Sequence, residues 1–162
     1  MERYLRKLLK DGAFKNVSPS RSLTMSKIRG KGNRTTEVRL RYALVKAGIS
    51  GWSMHPVLPG RPDFFFFRRR VAIFVDGCFW HGCPRCGHIP RTRRAFWRAK
   101  IERNQERAAK WDRILKREGI RVLHVWECRL KNDLVSVVTK ISVVVKERGR
   151  KFAAEPRNSR CS

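Results

Sequence analysis

Apolar positions first fall into a sustained register at Thr35. From Thr35 to Ala47, Val38, Tyr42 and Val45 recur at helical spacing beside Leu40, Leu44 and Ala47, with Thr35 or Thr36 as cap and Gly48 as stop. This pattern predicts an amphipathic helix with Glu37 in its first turn. Phe64 to Phe67 and Val71 to Val75 are short apolar runs on either side of Arg68-Arg69-Arg70, the pattern of a β-hairpin with a charged turn. Arg94 to Arg117 reads as a long basic helix with Trp97, Ile101, Trp111 and Leu115 among its apolar positions. Val122 to Trp126 reads as a third strand ending at Glu127-Cys128. Leu134, Val137, Val138, Ile141, Val144 and Val145 keep helical spacing behind an Asn132/Asp133 cap, although β-branched residues are weak helix formers. Strands interleaved with helices predict an α/β domain. Residues 1 to 34 lack such a period and read as a flexible basic arm with a short helix at Tyr4 to Leu9; disorder is expected from Gly149 onward.

Composition changes this picture mainly through charge. The 162 residues and 41% apolar content suit one globular domain, but 39 Lys and Arg against 13 Asp and Glu leave a net charge of +26. So large an excess exceeds what solubility requires and points to a polyanion, with nucleic acid the expected partner. No apolar run approaches the roughly 20 residues of a spanning helix, so no membrane association is expected. Met1 to Lys10 is basic without a following apolar stretch, and the expected location is cytoplasmic. Five cysteines, four of them within the domain and Cys161 in the tail, favour metal over disulfides in such a compartment.

The candidate chemistry is concentrated between Pro62 and Cys86. Asp63 and Asp76 flank the predicted hairpin, and antiparallel pairing brings such ends together, as a shared metal requires. Carboxylates offer hard ligands for Mg²⁺. In phosphodiester cleavage such an ion helps to activate water and to neutralise charge on the non-bridging oxygens. Cys83-Pro84-Arg85-Cys86 is a C-x-x-C knuckle, Cys78 lies five residues before it, and Cys128 completes a set suited to structural Zn²⁺, with His88 as the alternative fourth ligand. His81 lies among these thiols as a general base or proton donor, or as a zinc ligand. Each assignment has a plain counterpart: Asp63 as a turn residue, Glu37 as a helix N-terminal charge, the thiols as small buried apolar groups. Phe79, Trp80 and Trp97 are either core aromatics or wedges that enter a base step and unstack it.

These residues carry a resemblance. Arg21-Ser22, Met25 to Arg29, Thr36-Glu37 with Leu40-Arg41, Leu58 to Phe64, Val75 to His81, Phe96-Trp97, Lys100-Ile101 with Asn104 and Arg107, and Arg121 to Glu127 form an ordered series. The series resembles the very-short-patch repair (Vsr) DNA mismatch endonucleases. The resemblance implies a restriction-endonuclease-like core, a mixed central β-sheet flanked by helices, with a structural zinc site. It implies Mg²⁺-dependent nicking of duplex DNA 5′ of the thymine in a T:G mismatch, within very-short-patch repair of deaminated 5-methylcytosine. By position, Asp63 and the carbonyl of Val75 correspond to Mg²⁺ ligands, His81 to the catalytic histidine, and Glu37 to an active-site acid. Cys78, Cys83, Cys86 and Cys128 match the zinc positions, and Phe79, Trp80 and Trp97 the intercalating aromatics. It further implies a nucleoid-associated monomer that works with other mismatch-repair proteins, its domain spanning residues 21–148 between a basic extension (1–20) and a basic tail (149–162).

Two positions depart from the family pattern. Asp76 stands where the best-known member has a second active-site histidine, and an acid there is able to bind metal directly. Ala108 stands where an aspartate often follows the Asn-x-x-Arg segment, which removes a partner for the active-site histidine. The rival readings are a related nuclease acting on another duplex lesion or site, and a non-catalytic zinc-dependent nucleic-acid binder.

Overall fold

The computed structural model describes Leu5, Lys7, Leu8 and residues 36–154, the last five as backbone only. The expected Tyr4 to Leu9 helix therefore falls mostly outside the described residues, as do the Arg21 to Arg29 segment and Cys161. In chain order the elements are α1 (Glu37–Lys46), β1 (Trp52–Met54), β2 (Phe64–Phe66), a 3₁₀ turn (Phe67–Arg69) and β3 (Val71–Asp76). They continue with α2 (Arg94–Arg117), β4 (Arg121–Trp126), α3 (Glu127–Asn132) and α4 (Leu134–Ala154).

One four-stranded sheet runs β1-β2-β3-β4. The first three strands form an antiparallel meander, with Met54 opposite Phe64 and Phe64 opposite Ile73. β4 joins parallel to β3, Val71 beside Arg121 and Asp76 beside Trp126, after a crossover through α2. The expected hairpin is present, turned by the 3₁₀ segment with Arg70 in a left-handed conformation. β1 and α3 were not expected; both are short, and neither leaves a sustained period.

The uninterrupted apolar run at Phe64 to Phe66 follows from burial of both sheet faces. On one face, Phe64, Phe66, Val71, Ile73, Leu123 and Val125 pack with Leu40 and Leu44 of α1 and Ile141 and Val144 of α4. On the other, Phe65 and Ala72 pack with Leu115 of α2 and with Ile120. Side chains alternate faces along a strand, so both halves of the core come from the same few residues. Leu5 is fully buried beside Phe96 and Ala99 of α2. The Asp133 side chain accepts a hydrogen bond from Ser136 N–H at 3.1 Å and caps α4, which continues to Ala154, beyond the expected end of order at Gly149.

Candidate active site and thiol cluster

Strand direction gathers the chemistry at one end of the sheet. Asp63 precedes β2, and its backbone N–H donates to the carbonyl of Ile73 at 2.9 Å while its own carbonyl accepts from His55 N–H at 3.1 Å. His55, just beyond β1, thereby lies beside Asp63. The loop between them turns at Pro59-Gly60, where Arg61 N–H bonds to the carbonyl of Leu58. Gly60 has φ +77°, and an added Cβ would lie 2.9 Å from Cβ of Trp111, so this loop requires glycine. From α1, Glu37 enters the same space, almost wholly buried.

The result is an acid–histidine cluster that the sequence reading only half anticipated. His55 Nε2 lies 3.0 Å from Glu37 Oε2, and His55 Nδ1 lies 4.0 Å from Asp63 Oδ1. One ligand atom from each of Glu37, His55 and Asp63 falls within 4.8 Å of the others, close enough to hold a metal ion. Burial raises Asp63 to a pKa of about 7; the charges of Glu37 and Asp76 push the same way, against the Val75 N–H that donates to Asp63 Oδ2 at 2.6 Å. A buried carboxyl resisting ionisation next to two other acids is a site that a cation would relieve.

Asp76 is near enough to act on Asp63, but its oxygens face elsewhere. Oδ2 lies 2.6 Å from His124 Nδ1, and Oδ1 lies 3.7 Å from His81 Nδ1. His124 stands on β4 beside Phe74 in the sheet register, its ring stacked on that of Phe74, and its Nε2 bonds Asp112 Oδ1 of α2 at 3.0 Å. Hydrogen bonding to Asp76 raises His124 to about 9 against the cost of burial. His81 is shifted the other way: burial lowers its pKa, assisted by the charges of His124 and Arg107, although Asp76 opposes. Near neutral pH one imidazole is thus held charged and the other neutral.

The loop carrying His81 is fixed by α2. Asn104 Nδ2 donates to the carbonyl of Trp80 at 2.9 Å and Gln105 Nε2 to that of His81 at 3.0 Å. Arg107 in turn donates to Asn104 Oδ1 at 3.0 Å. Phe79 and Trp80 lean on Trp97, ring centroids 5.2 and 6.1 Å apart, and all three are half-buried. The expected wedges therefore form one interlocked group beside His81.

The thiols assemble for a reason of register. Asp76 pairs with Trp126 across parallel strands, so Cys78 and Cys128, each two residues further on, leave the sheet side by side. Cys128 N–H donates to Cys78 Sγ at 3.3 Å, and Cys83 Sγ lies 3.8 Å from Cys128 Sγ. Sulfur atoms of all four cysteines, Cys86 included, lie within 4.8 Å of one another. The Cys83–Cys128 separation matches the roughly 3.8 Å edge of a tetrahedron with Zn–S bonds of about 2.3 Å. Burial works against the Cys83 thiolate, but the N–H groups of Arg85 and Cys86 outweigh it and bring the thiol down to about 7; burial drives Cys78 up. His88 is outside this group and exposed, its ring 5.9 Å from that of Phe79.

Comparison with known proteins meets this geometry. The family model "DNA mismatch endonuclease Vsr" matches residues 15–86. Type II nicking enzyme V.XorIIP of Xanthomonas oryzae pv. oryzae is 40% identical over 119 residues, covering 72% of this chain and 86% of the relative. The chain belongs to the Vsr family. Type II nicking enzyme V.NaeI of Lentzea aerocolonigenes is 38% identical over 127 residues, 75% of this chain and 76% of the relative. DNA mismatch endonuclease Vsr of Escherichia coli is 42% identical over 97 residues, 59% and 62% of the two chains. Membership makes this protein a DNA endonuclease of the nicking kind, and hydrolysis is its reaction. Vsr nucleases are metal-dependent, and both clusters are capable of holding an ion. Among the described residues no helix is long and apolar enough to cross a membrane.

His55, His124 and Asp112 were missed by the sequence reading. His124 left one signal, a polar residue between apolar neighbours within the strand. His55 and Asp112 left none, because both become meaningful only through their partners in space.

Proposed function

We propose that the enzyme nicks duplex DNA on the 5′ side of the thymine in a T:G mismatch, in very-short-patch repair of deaminated 5-methylcytosine. The observation that carries this reading is the partly buried Glu37–His55–Asp63 cluster beside an imidazole, His81, whose lowered pKa leaves it free to accept a proton. Asp63 and Glu37, with the carbonyl of Val75, would hold Mg²⁺ there, and the ion would supply charge neutralisation and an acidified water. Asp63 would bind such an ion as the ionised carboxylate. His81 takes the proton from the attacking water, and Asp76 orients it. Arg107, acting on His81 by its charge, helps to keep the imidazole neutral beforehand.

Recognition is assigned to the aromatics. Phe79, Trp80 and Trp97 form a half-exposed wedge suited to a base step that a mismatch has already weakened. The basic surface binds the phosphates without reading sequence. Zn²⁺ on the four thiolates would be structural, since four protein ligands fill its sites, and it would tie the loop of His81 to the end of β4. Similarity to the DNA mismatch endonuclease of Escherichia coli supports this choice of substrate.

The test is cleavage of otherwise identical duplexes carrying T:G, U:G or matched pairs, with Mg²⁺, by wild type and Asp63→Ala. Preferential nicking of T:G by wild type and none by the variant is expected. Equal nicking of the matched duplex would assign another site as substrate, and binding without nicking of any duplex would leave only a nucleic-acid binder.

A further inference from the structure

We propose that Asp112, His124 and Asp76 form one hydrogen-bonded positioning unit behind His81, which keeps Asp76 as a partner of imidazoles and outside the metal-binding set. The inference rests on the nuclease reading for its effect on rate, but its geometry stands by itself. Each oxygen of Asp76 faces a histidine ring, Oδ2 toward His124 at 2.6 Å and Oδ1 toward His81 at 3.7 Å. The close cluster of possible metal ligands comprises Glu37, His55 and Asp63 and does not include Asp76.

His124 is bracketed. Its two ring nitrogens face two carboxylates, and carboxylates only accept, so the arrangement requires both nitrogens to carry protons. Stacking on Phe74 at 5.3 Å fixes the ring plane. A cationic imidazole here compensates the buried Asp76 charge from the side away from Asp63, leaving the other Asp76 oxygen to orient His81. Lys116, 3.9 Å from Asp112, and Arg107 are further cations on α2 around this chain of bonds.

The unit also makes sense of the two departures from the family pattern. Ala108 removes an acid, but Asp112 lies one turn further along the same face of α2. Asp76 removes an imidazole, and His124 supplies one from the neighbouring strand. A histidine–carboxylate pairing is thus present with its members moved, the acid on β3 and the imidazole on β4. Ala108 and Asp76 read together as a relocation, whereas each alone reads as a loss.

Two measurements test the proposal. In single-turnover nicking of a T:G duplex, His124→Gln should slow the chemical step about 10- to 100-fold, as supporting partners of active-site groups typically do, and Asp112→Ala by less. Duplex affinity and the Mg²⁺ concentration at half-maximal rate should stay at wild-type values in both variants. Asp76→Asn should likewise slow the step without moving the Mg²⁺ midpoint, whereas Asp63→Asn moves it. A wild-type rate for His124→Gln, or a shifted Mg²⁺ midpoint for Asp76→Asn, overturns the proposal. The second measurement needs no activity. In the imidazole ¹H–¹⁵N spectrum of the protein without added Mg²⁺, both ring N–H protons of His124 should appear downfield and protected, and Asp112→Ala should remove one. A single N–H, or no response to Asp112→Ala, overturns the unit even if the enzyme nicks T:G duplexes. Failure of wild type to nick any duplex, with both N–H signals present, overturns the nuclease reading instead.

Discussion

The acid–histidine cluster and the thiol cluster occupy the same end of one sheet, yet they are built on opposite terms. Three of the four thiols come from nine consecutive residues, and the fourth is delivered by a parallel register that places Cys128 beside Cys78. Glu37, His55 and Asp63 come from α1, the end of β1 and the start of β2, and burial there, with the charges of Glu37 and Asp76 adding to it, raises the pKa of Asp63 to about 7. The thiols form a local, soft-ligand set. The acids form a long-range set whose members disfavour one another until a cation or proton intervenes. Such a contrast is expected where one site holds structure and the other does chemistry.

The largest effect expected from breaking this comparison is on the thiol side. Cys83→Ser should abolish stoichiometric zinc, measured by metal analysis, and lower stability by at least about 3 kcal/mol, given apparent binding energies of about 10–16 kcal/mol at small structural zinc sites. Its nicking should fail through loss of the fold, so circular dichroism and activity should fall together. Asp63→Asn is the counterpart on the acid side. Nicking should fall on the order of a thousandfold while zinc content and circular dichroism stay unchanged.

A smaller effect separates the two histidines. The His124 pKa is raised from 6.5 to about 9, so its bonds to Asp76 and Asp112 stabilise the fold fully below about pH 6.5. That contribution is lost as pH rises through about 9. Chemical denaturation of wild type between these values should show falling stability, and His124→Gln should flatten that segment. The smallest effect belongs to the wedge. Trp97→Ala should weaken binding of a T:G duplex by about 1–3 kcal/mol, read by titration, with less effect on a matched duplex.

How much of this was visible in the chain follows from the same contrast. The hairpin, α2 and three of the four thiols rest on local spacing, and all are present with nearly the expected boundaries. The meeting of Asp63 with Asp76 was inferred from strand reversal, and the two are electrostatically coupled. What reversal could not supply was the orientation of Asp76, because His124 reaches it across a parallel pair closed only after the 24-residue α2 crossover. His55 was hidden for a related reason: β1 spans three residues and carries no period of its own. Ala108 read as a loss because the compensating acid, Asp112, is recognisable only once α2 is docked against β4.

The central claim is that the Glu37–His55–Asp63 cluster is held at a cost to the fold so that it can bind a cation. Urea denaturation at pH 8, with and without Mg²⁺, of wild type and Asp63→Asn tests it most directly. Asp63 ionises near 3.8 when unfolded and near 7 when folded, so without Mg²⁺ the folded state loses stability as pH rises between these values. At pH 8 the neutral variant should therefore be more stable than wild type by up to roughly 4 kcal/mol. Mg²⁺ should stabilise wild type and leave the variant unchanged. A variant less stable than wild type without Mg²⁺, or equal stabilisation of both proteins by the ion, would contradict the account.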